Sequence, residues 1–91
     1  MKYTVIWLPD TIDELAILWL NPSLRKAVTN AADKIDMLLS GRPAEVGESR
    51  SNDRRILFES PLGVTYRIKH ADMKVYVLRV WCFRKRSNEA E

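Results

Sequence analysis

The chain has almost none of the residues that acid–base or thiol chemistry relies on: a single histidine, His70, and a single cysteine, Cys82, in 91 residues. One cysteine excludes an intrachain disulfide and a thiolate-rich metal site, and its natural setting is a reducing compartment. Basic neighbours can lower its pKa, but no second cysteine or paired histidine supports nucleophilic work. His70 stands in a turn beside Asp72, where a lone imidazole reads as a solvated surface group. No apolar run approaches the ~20 residues of a membrane span. The opening Met1-Lys2-Tyr3-Thr4-Val5 is a strand pattern and lacks the apolar stretch of a signal peptide. These absences point to a cytoplasmic protein with no metal, no cofactor and no membrane contact.

Positive charge is abundant, and it is unevenly placed. Between Ser49 and Asn88, Arg50, Arg54, Arg55, Arg67, Lys69, Lys74, Arg79, Arg84, Lys85 and Arg86 face only Asp53, Glu59 and Asp72. Met1 to Gly41 carries a net charge of −1. Clustered guanidinium groups gain from phosphate contact and counterion release, so the asymmetry implies a polyanionic partner met by one end of the molecule. At 46% hydrophobic and 30% charged, 91 residues make one small folded domain.

Periodicity orders the elements. Tyr3, Val5 and Trp7 alternate with Lys2, Thr4 and Ile6 before Pro9, which predicts a first strand. Thr11-Ile12-Asp13-Glu14 matches a capping box, and Ile12, Leu15, Ala16 and Trp19 form an apolar helical stripe. Asn21 as cap and Pro22 as first residue open a second helix with Leu24, Ala27, Val28, Ala31, Ile35, Leu38 and Leu39 on its apolar positions, closed by Gly41. Residues 42–52 read as a loop. Arg54–Glu59, Leu62–Lys69 and Lys74–Trp81 follow as an antiparallel meander.

The expected fold is α+β, with a two-helix hairpin on one face of a four-stranded, mostly antiparallel sheet and the first strand parallel to the last. In the middle strand Leu62, Val64, Tyr66 and Ile68 point to the core, leaving Gly63, Thr65, Arg67 and Lys69 on the open face. In the last strand Tyr76, Leu78 and Val80 are assigned to the core, and Val75, Val77, Arg79 and Trp81 to the open face. Thr65 then pairs with Arg79 and Arg67 with Val77, making Arg67 and Arg79 diagonal neighbours. Alternation sends one of Arg54 and Arg55 to the same face in either register. Trp81 and Phe83 lie beside the charges, and Trp7 and Trp19 are assigned to the core.

This order of elements resembles the RelE/ParE superfamily of small bacterial toxins. The resemblance is carried by Tyr3-Thr4-Val5-Ile6-Trp7, Leu15, Trp19, Gly47-Glu48-Ser49-Arg50, Arg54-Arg55, Pro61 to Ile68 and Val75 to Trp81, and spans residues 2–83. It implies a single domain, the toxin of a type II toxin–antitoxin pair such as those that stabilise plasmids, and a cognate antitoxin as partner. RelE-like members cleave messenger RNA on the ribosome with basic residues of the sheet, an arginine after the last strand and, in some, a tyrosine near the C-terminus. Counted from Tyr66, the strand arginine falls on Gly63 and the later one on Phe83, and the final residues Ser87 to Glu91 hold no tyrosine. Arg54 matches a basic position, and Arg84 or Lys85 replaces the later arginine by a short shift. With the open-face arginines added to these matches, the expected catalytic set is Arg54, Arg55, Arg67, Arg79 and Arg84, with Arg50, Lys69, Trp81, Phe83, Lys85 and Arg86 binding RNA. Charge stabilisation by arginines supports attack of a 2′-hydroxyl on its neighbouring phosphate. ParE-like members instead inhibit DNA gyrase and need no cleavage residues, and a degenerate member binds its antitoxin alone.

Overall fold

The computed structural model describes residues 2–83. Its elements are β1 (Thr4–Trp7), α1 (Pro9–Trp19), α2 (Arg25–Gly41), β2 (Glu48–Ser49), β3 (Arg54–Glu59), β4 (Leu62–Lys69) and β5 (Lys74–Cys82). The strands form one sheet in the order β1-β5-β4-β3-β2. As expected, β1 runs parallel to β5 and the remaining pairs are antiparallel. The fifth strand is the two-residue β2, inside what the sequence presented as loop. Asn52 and Asp53, with φ of 62° and 61°, turn the chain there. Arg54 N–H reaches the Ser51 carbonyl at 3.3 Å across these two residues, and Arg50 N–H on the Arg54 carbonyl at 2.6 Å closes the three-residue connection between the strands.

The core lies between the sheet and the helices. Val28, Ala31, Ile35 and Leu39 recur at helical spacing along α2 and meet Leu62, Val64, Tyr66, Val75, Val77 and Val80 of the sheet. α2 starts at Arg25 and not at Pro22, because Asn21 Oδ1 spends its bonds on the Ser23 amide and hydroxyl, at 3.1 and 2.8 Å, within the preceding turn.

α1 departs further from expectation. It begins at Pro9, and no side chain caps it. Thr11 and Glu14 face the sheet instead: the buried Thr11 hydroxyl donates to the Val77 carbonyl at 2.9 Å, and Glu14 Oε1 accepts from the Val80 amide at 3.0 Å. β1 ends at Trp7, so beyond it β5 has a bare edge, and these two polar side chains satisfy its backbone in place of a strand. The inward stripe therefore runs through Thr11, Leu15 and Leu18, whereas Ile12 is 52% and Trp19 43% exposed. Trp19 is not a core residue. Its indole donates to Thr29 Oγ1 at 3.1 Å, and the Arg25 guanidinium lies 4.1 Å above its ring. Trp7 does pack against the core, its Nε1 donating to Asp36 Oδ1 at 3.2 Å.

The faces of β5 also need correcting. Thr65 pairs with Arg79 as expected, but Tyr66 pairs with Val77 and Arg67 with Tyr76. Leu78 is the extra residue of a β-bulge, and alternation reverses across it. Val75 and Val77 are buried alongside Val80, and Tyr76 belongs to the open face.

Candidate functional site

The open side of the sheet is organised in rows. One row across the sheet is Ile6, Tyr76, Arg67 and Arg54, each the direct partner of the next. Directly opposed residues have Cβ atoms about 4.5–5.5 Å apart, so the stems of Arg54 and Arg67 rise side by side. Both are exposed, and among the described residues no carboxylate forms an ion pair with either. Thr4, Lys74 and Lys69 form the row at one side of this pair. Arg79, Thr65, Ile56 and Glu48 form the row at the other. Beyond them Trp81, Gly63 and Phe58 complete the face.

Five basic side chains on this face, Arg54, Arg67, Lys69, Lys74 and Arg79, differ in how freely they meet an anion. Lys69 is held at 3.5 Å by Asp72, three residues on. Arg79 Nε donates to Glu14 Oε2 at 2.8 Å, with the arginine side chain 66% exposed and the glutamate 29%. Exposed pairs of this kind contribute ~1 kcal/mol or less. Among the described residues Arg54, Arg67 and Lys74 form no ion pair, and the two directly opposed arginines repel each other until an anion joins them.

Arg55 is elsewhere. It lies on the helix side of β3, where Nη2 donates to the carbonyls of Gly47 at 2.7 Å and Ala44 at 3.0 Å, and Nε to the Tyr66 hydroxyl at 3.3 Å. The Tyr66 hydroxyl in turn donates to the Pro43 carbonyl at 2.7 Å. Burial raises the Tyr66 pKa above its ordinary 10.0, a shift that Arg55 opposes through its hydrogen bond and its charge. Gly47 has no room for a side chain, since a Cβ there would stand 2.5 Å from the Tyr66 hydroxyl. This knot fastens the 42–47 segment to the sheet. Of the adjacent arginines, Arg54 is the one that faces outward.

The other expected residues fall into place around this geometry. Arg50 lies by the β2–β3 hairpin, its Nη2 on Glu48 Oε1 at 3.1 Å. Trp81 lies across Gly63, where an added Cβ would come 2.7 Å from Cε2 of the indole. Phe83 packs edge to face with Phe58. Arg84, Lys85 and Arg86 are outside the described residues. His70 Nδ1 shares a 2.9 Å hydrogen bond with the Tyr3 hydroxyl and lines one open pocket together with Arg54 and Asp53. Tyr76 and Phe58 were missed. Phe58 was recoverable from sequence, because the alternation that turns Arg54 outward also turns Ile56 and Phe58 outward. Tyr76 was hidden by the bulge.

A second surface lies on the hairpin. Ile12, Leu15, Ala16 and Trp19 of α1, with Val28, Thr29, Ala32 and Asp33 of α2, line an open and largely apolar groove of ≈ 350 Å³. Among the described residues no group of side chains could hold a metal ion, and no helix is long and apolar enough to cross a membrane.

Neither a protein-family model nor a curated protein matches the chain in sequence. Solved structures do match. The toxin–antitoxin complex RelBE2 of Mycobacterium tuberculosis contains a chain of 26% identity that superposes with a TM-score of 0.71, over 90% of this chain and 92% of that one. A chain of the chromosomal ParDE system of Pseudomonas aeruginosa gives 0.73 at 16% identity, over 90% and 97%. One from the RelE–RelB complex of Pyrococcus horikoshii gives 0.64 at 17%, over 90% and 96%. The chain has the RelE/ParE superfamily fold. Its structural neighbours are toxins of type II toxin–antitoxin systems.

Proposed function

We propose that the chain is the toxin of such a pair, that its target is RNA at the ribosome, and that the open face of the sheet is the surface that meets it. The observation that carries this reading is the directly opposed Arg54 and Arg67, neither in an ion pair among the described residues, with Tyr76 beside them and Arg79 one row away. Two guanidinium groups at that spacing fit a phosphodiester backbone. In a water-poor complex they would stabilise the charge that develops when a 2′-hydroxyl attacks the adjacent phosphate. Arginines supply charge and not proton transfer, which falls to the RNA or the ribosome. The antitoxin is the natural occupant of the hairpin groove, because an amphipathic helix laid there would cover Ile12 and Trp19.

One observation favours a gyrase-directed, non-cleaving toxin as the second reading. The strand position at which the resemblance calls for an arginine is Gly63, and the Trp81 indole occupies the space its side chain would need. Inducing the chain in cells with and without the neighbouring gene, then mapping RNA ends and gyrase-dependent DNA breaks, separates the two. The expected result is new RNA ends that vanish in the Arg54→Ala/Arg67→Ala double variant. DNA breaks without new RNA ends would overturn it in favour of gyrase.

A further inference from the structure

We propose that Phe58, Trp81 and Phe83 form a seat for one unstacked base of single-stranded RNA; this rests on the RNA reading above and extends it. Phe58 is 53% exposed on the open face, where it contributes nothing to the core. Its ring stands 6.1 Å from that of Trp81 at 83°, and 5.2 Å from that of Phe83 at 78°. Rings set nearly at right angles make a corner. A flat base can stack against one ring while its edge meets the face of the other.

Charge decides between a base and an apolar protein side chain as occupant. The corner is bordered by Arg79 on the neighbouring row, and in sequence Phe83 is followed directly by Arg84, Lys85 and Arg86. Gly63 and Arg67 are four residues apart on one strand, about 13 Å at the usual strand rise. A backbone gripped at Arg54 and Arg67 thus brings a nearby base to the corner. A basic track flanked by aromatic rings is how single strands are held without sequence readout. Glycine at position 63 is what lets the indole lie across β4.

The test is fluorescence anisotropy with the purified chain and a short single-stranded RNA of mixed sequence, together with the same RNA made abasic one position at a time. Phe58→Ala should weaken binding by about 5- to 150-fold, the range for loss of one stacked base. Its salt dependence should not change, because every cationic group that meets a phosphate is still in place. Phe58→Tyr should retain affinity and Phe58→Leu should not. One abasic position should cost wild type the same factor and cost Phe58→Ala nothing. Since Phe58 is exposed, circular dichroism should find all three variants folded. Equal binding by Phe58→Leu and wild type, or an Ala variant of unchanged affinity while Arg54→Ala/Arg67→Ala binds weakly, would overturn the seat and leave the RNA reading standing. A wild-type chain that binds RNA neither free nor on the ribosome would overturn both. Loss of a protein target by Phe58→Ala with RNA binding intact would assign the corner to protein contact and overturn the seat.

Discussion

Adjacent and identical in sequence, Arg54 and Arg55 do different work because a strand sends neighbours to opposite sides. Arg55 ties three groups together, and its hydrogen-bond partner Tyr66 is fully buried. Removing the Tyr66 hydroxyl leaves the buried Pro43 carbonyl unpaired, so Tyr66→Phe should lower stability by about 1–3 kcal/mol in urea denaturation. The same tyrosine sets an alkaline limit. Its folded pKa lies above the unfolded 10.0, so the folded chain holds the proton longer. The stabilisation is complete below pH 10.0 and is lost as pH rises from there through the folded value. Arg55→Ala removes the two influences that lower that pKa, so tyrosinate absorbance should appear at still higher pH. An earlier tyrosinate signal in that variant would show that Arg55 does not act on the hydroxyl.

At the scale of elements, the unusual feature is a helix doing a strand's work along half of β5. Glu14→Ala removes the acceptor for the Val80 amide and the partner of Arg79 together. We expect a loss of about 1–3 kcal/mol in thermal or urea unfolding, together with tighter RNA binding at low salt, since Arg79 is then free to meet a phosphate. Weaker RNA binding by a folded Glu14→Ala chain would mean that the glutamate orients Arg79 for its ligand.

This element also marks where sequence reading stopped. Thr11 and Glu14 at capping-box spacing satisfy the local pattern, and only the abrupt end of β1 reveals that a bare strand edge claims both. The bounds of β3 and β4 were readable to the residue, and β4 alternates without interruption, but the run Ile56-Leu57-Phe58 gives β3 no phase. The helical spacing of the α2 core positions Val28, Ala31, Ile35 and Leu39 and its end at Gly41 were readable too, but its start was not. β5 was readable only as far as its existence: VYVLRVW is apolar at almost every position, so its pattern carries no phase and cannot reveal one inserted residue. The arginine site was therefore legible in Arg67 and in one of Arg54 and Arg55, but not in which of those two faces outward or in the presence of Tyr76.

For the whole molecule, two surfaces of opposite character lie on opposite sides of one sheet. If the hairpin groove takes the antitoxin, Ile12→Asp should abolish copurification with the product of the neighbouring gene. Ile12 is largely exposed, so the fold should survive, and toxicity in its absence should be unchanged. The basic face responds to a different variable. Replacing Arg54 and Arg67 should reduce the slope of log affinity against log salt by about 0.7 for each phosphate of the single strand that is no longer neutralised. A variant that binds more weakly with an unchanged slope would place the phosphates elsewhere.

The interlock of Trp81 with Gly63 constrains the order in which this face could change its chemistry. An arginine at position 63 meets the indole before it reaches solvent, so Gly63→Arg alone should unfold or expel the end of β5. Trp81→Ala comes at the expense of the aromatic corner but opens the space, and Gly63→Arg should then be tolerated. The two substitutions would be strongly non-additive in stability, accessible in one sequence and blocked in the other. A history that passes between an aromatic and a charged surface here must cross position 81 first, through an intermediate that has neither.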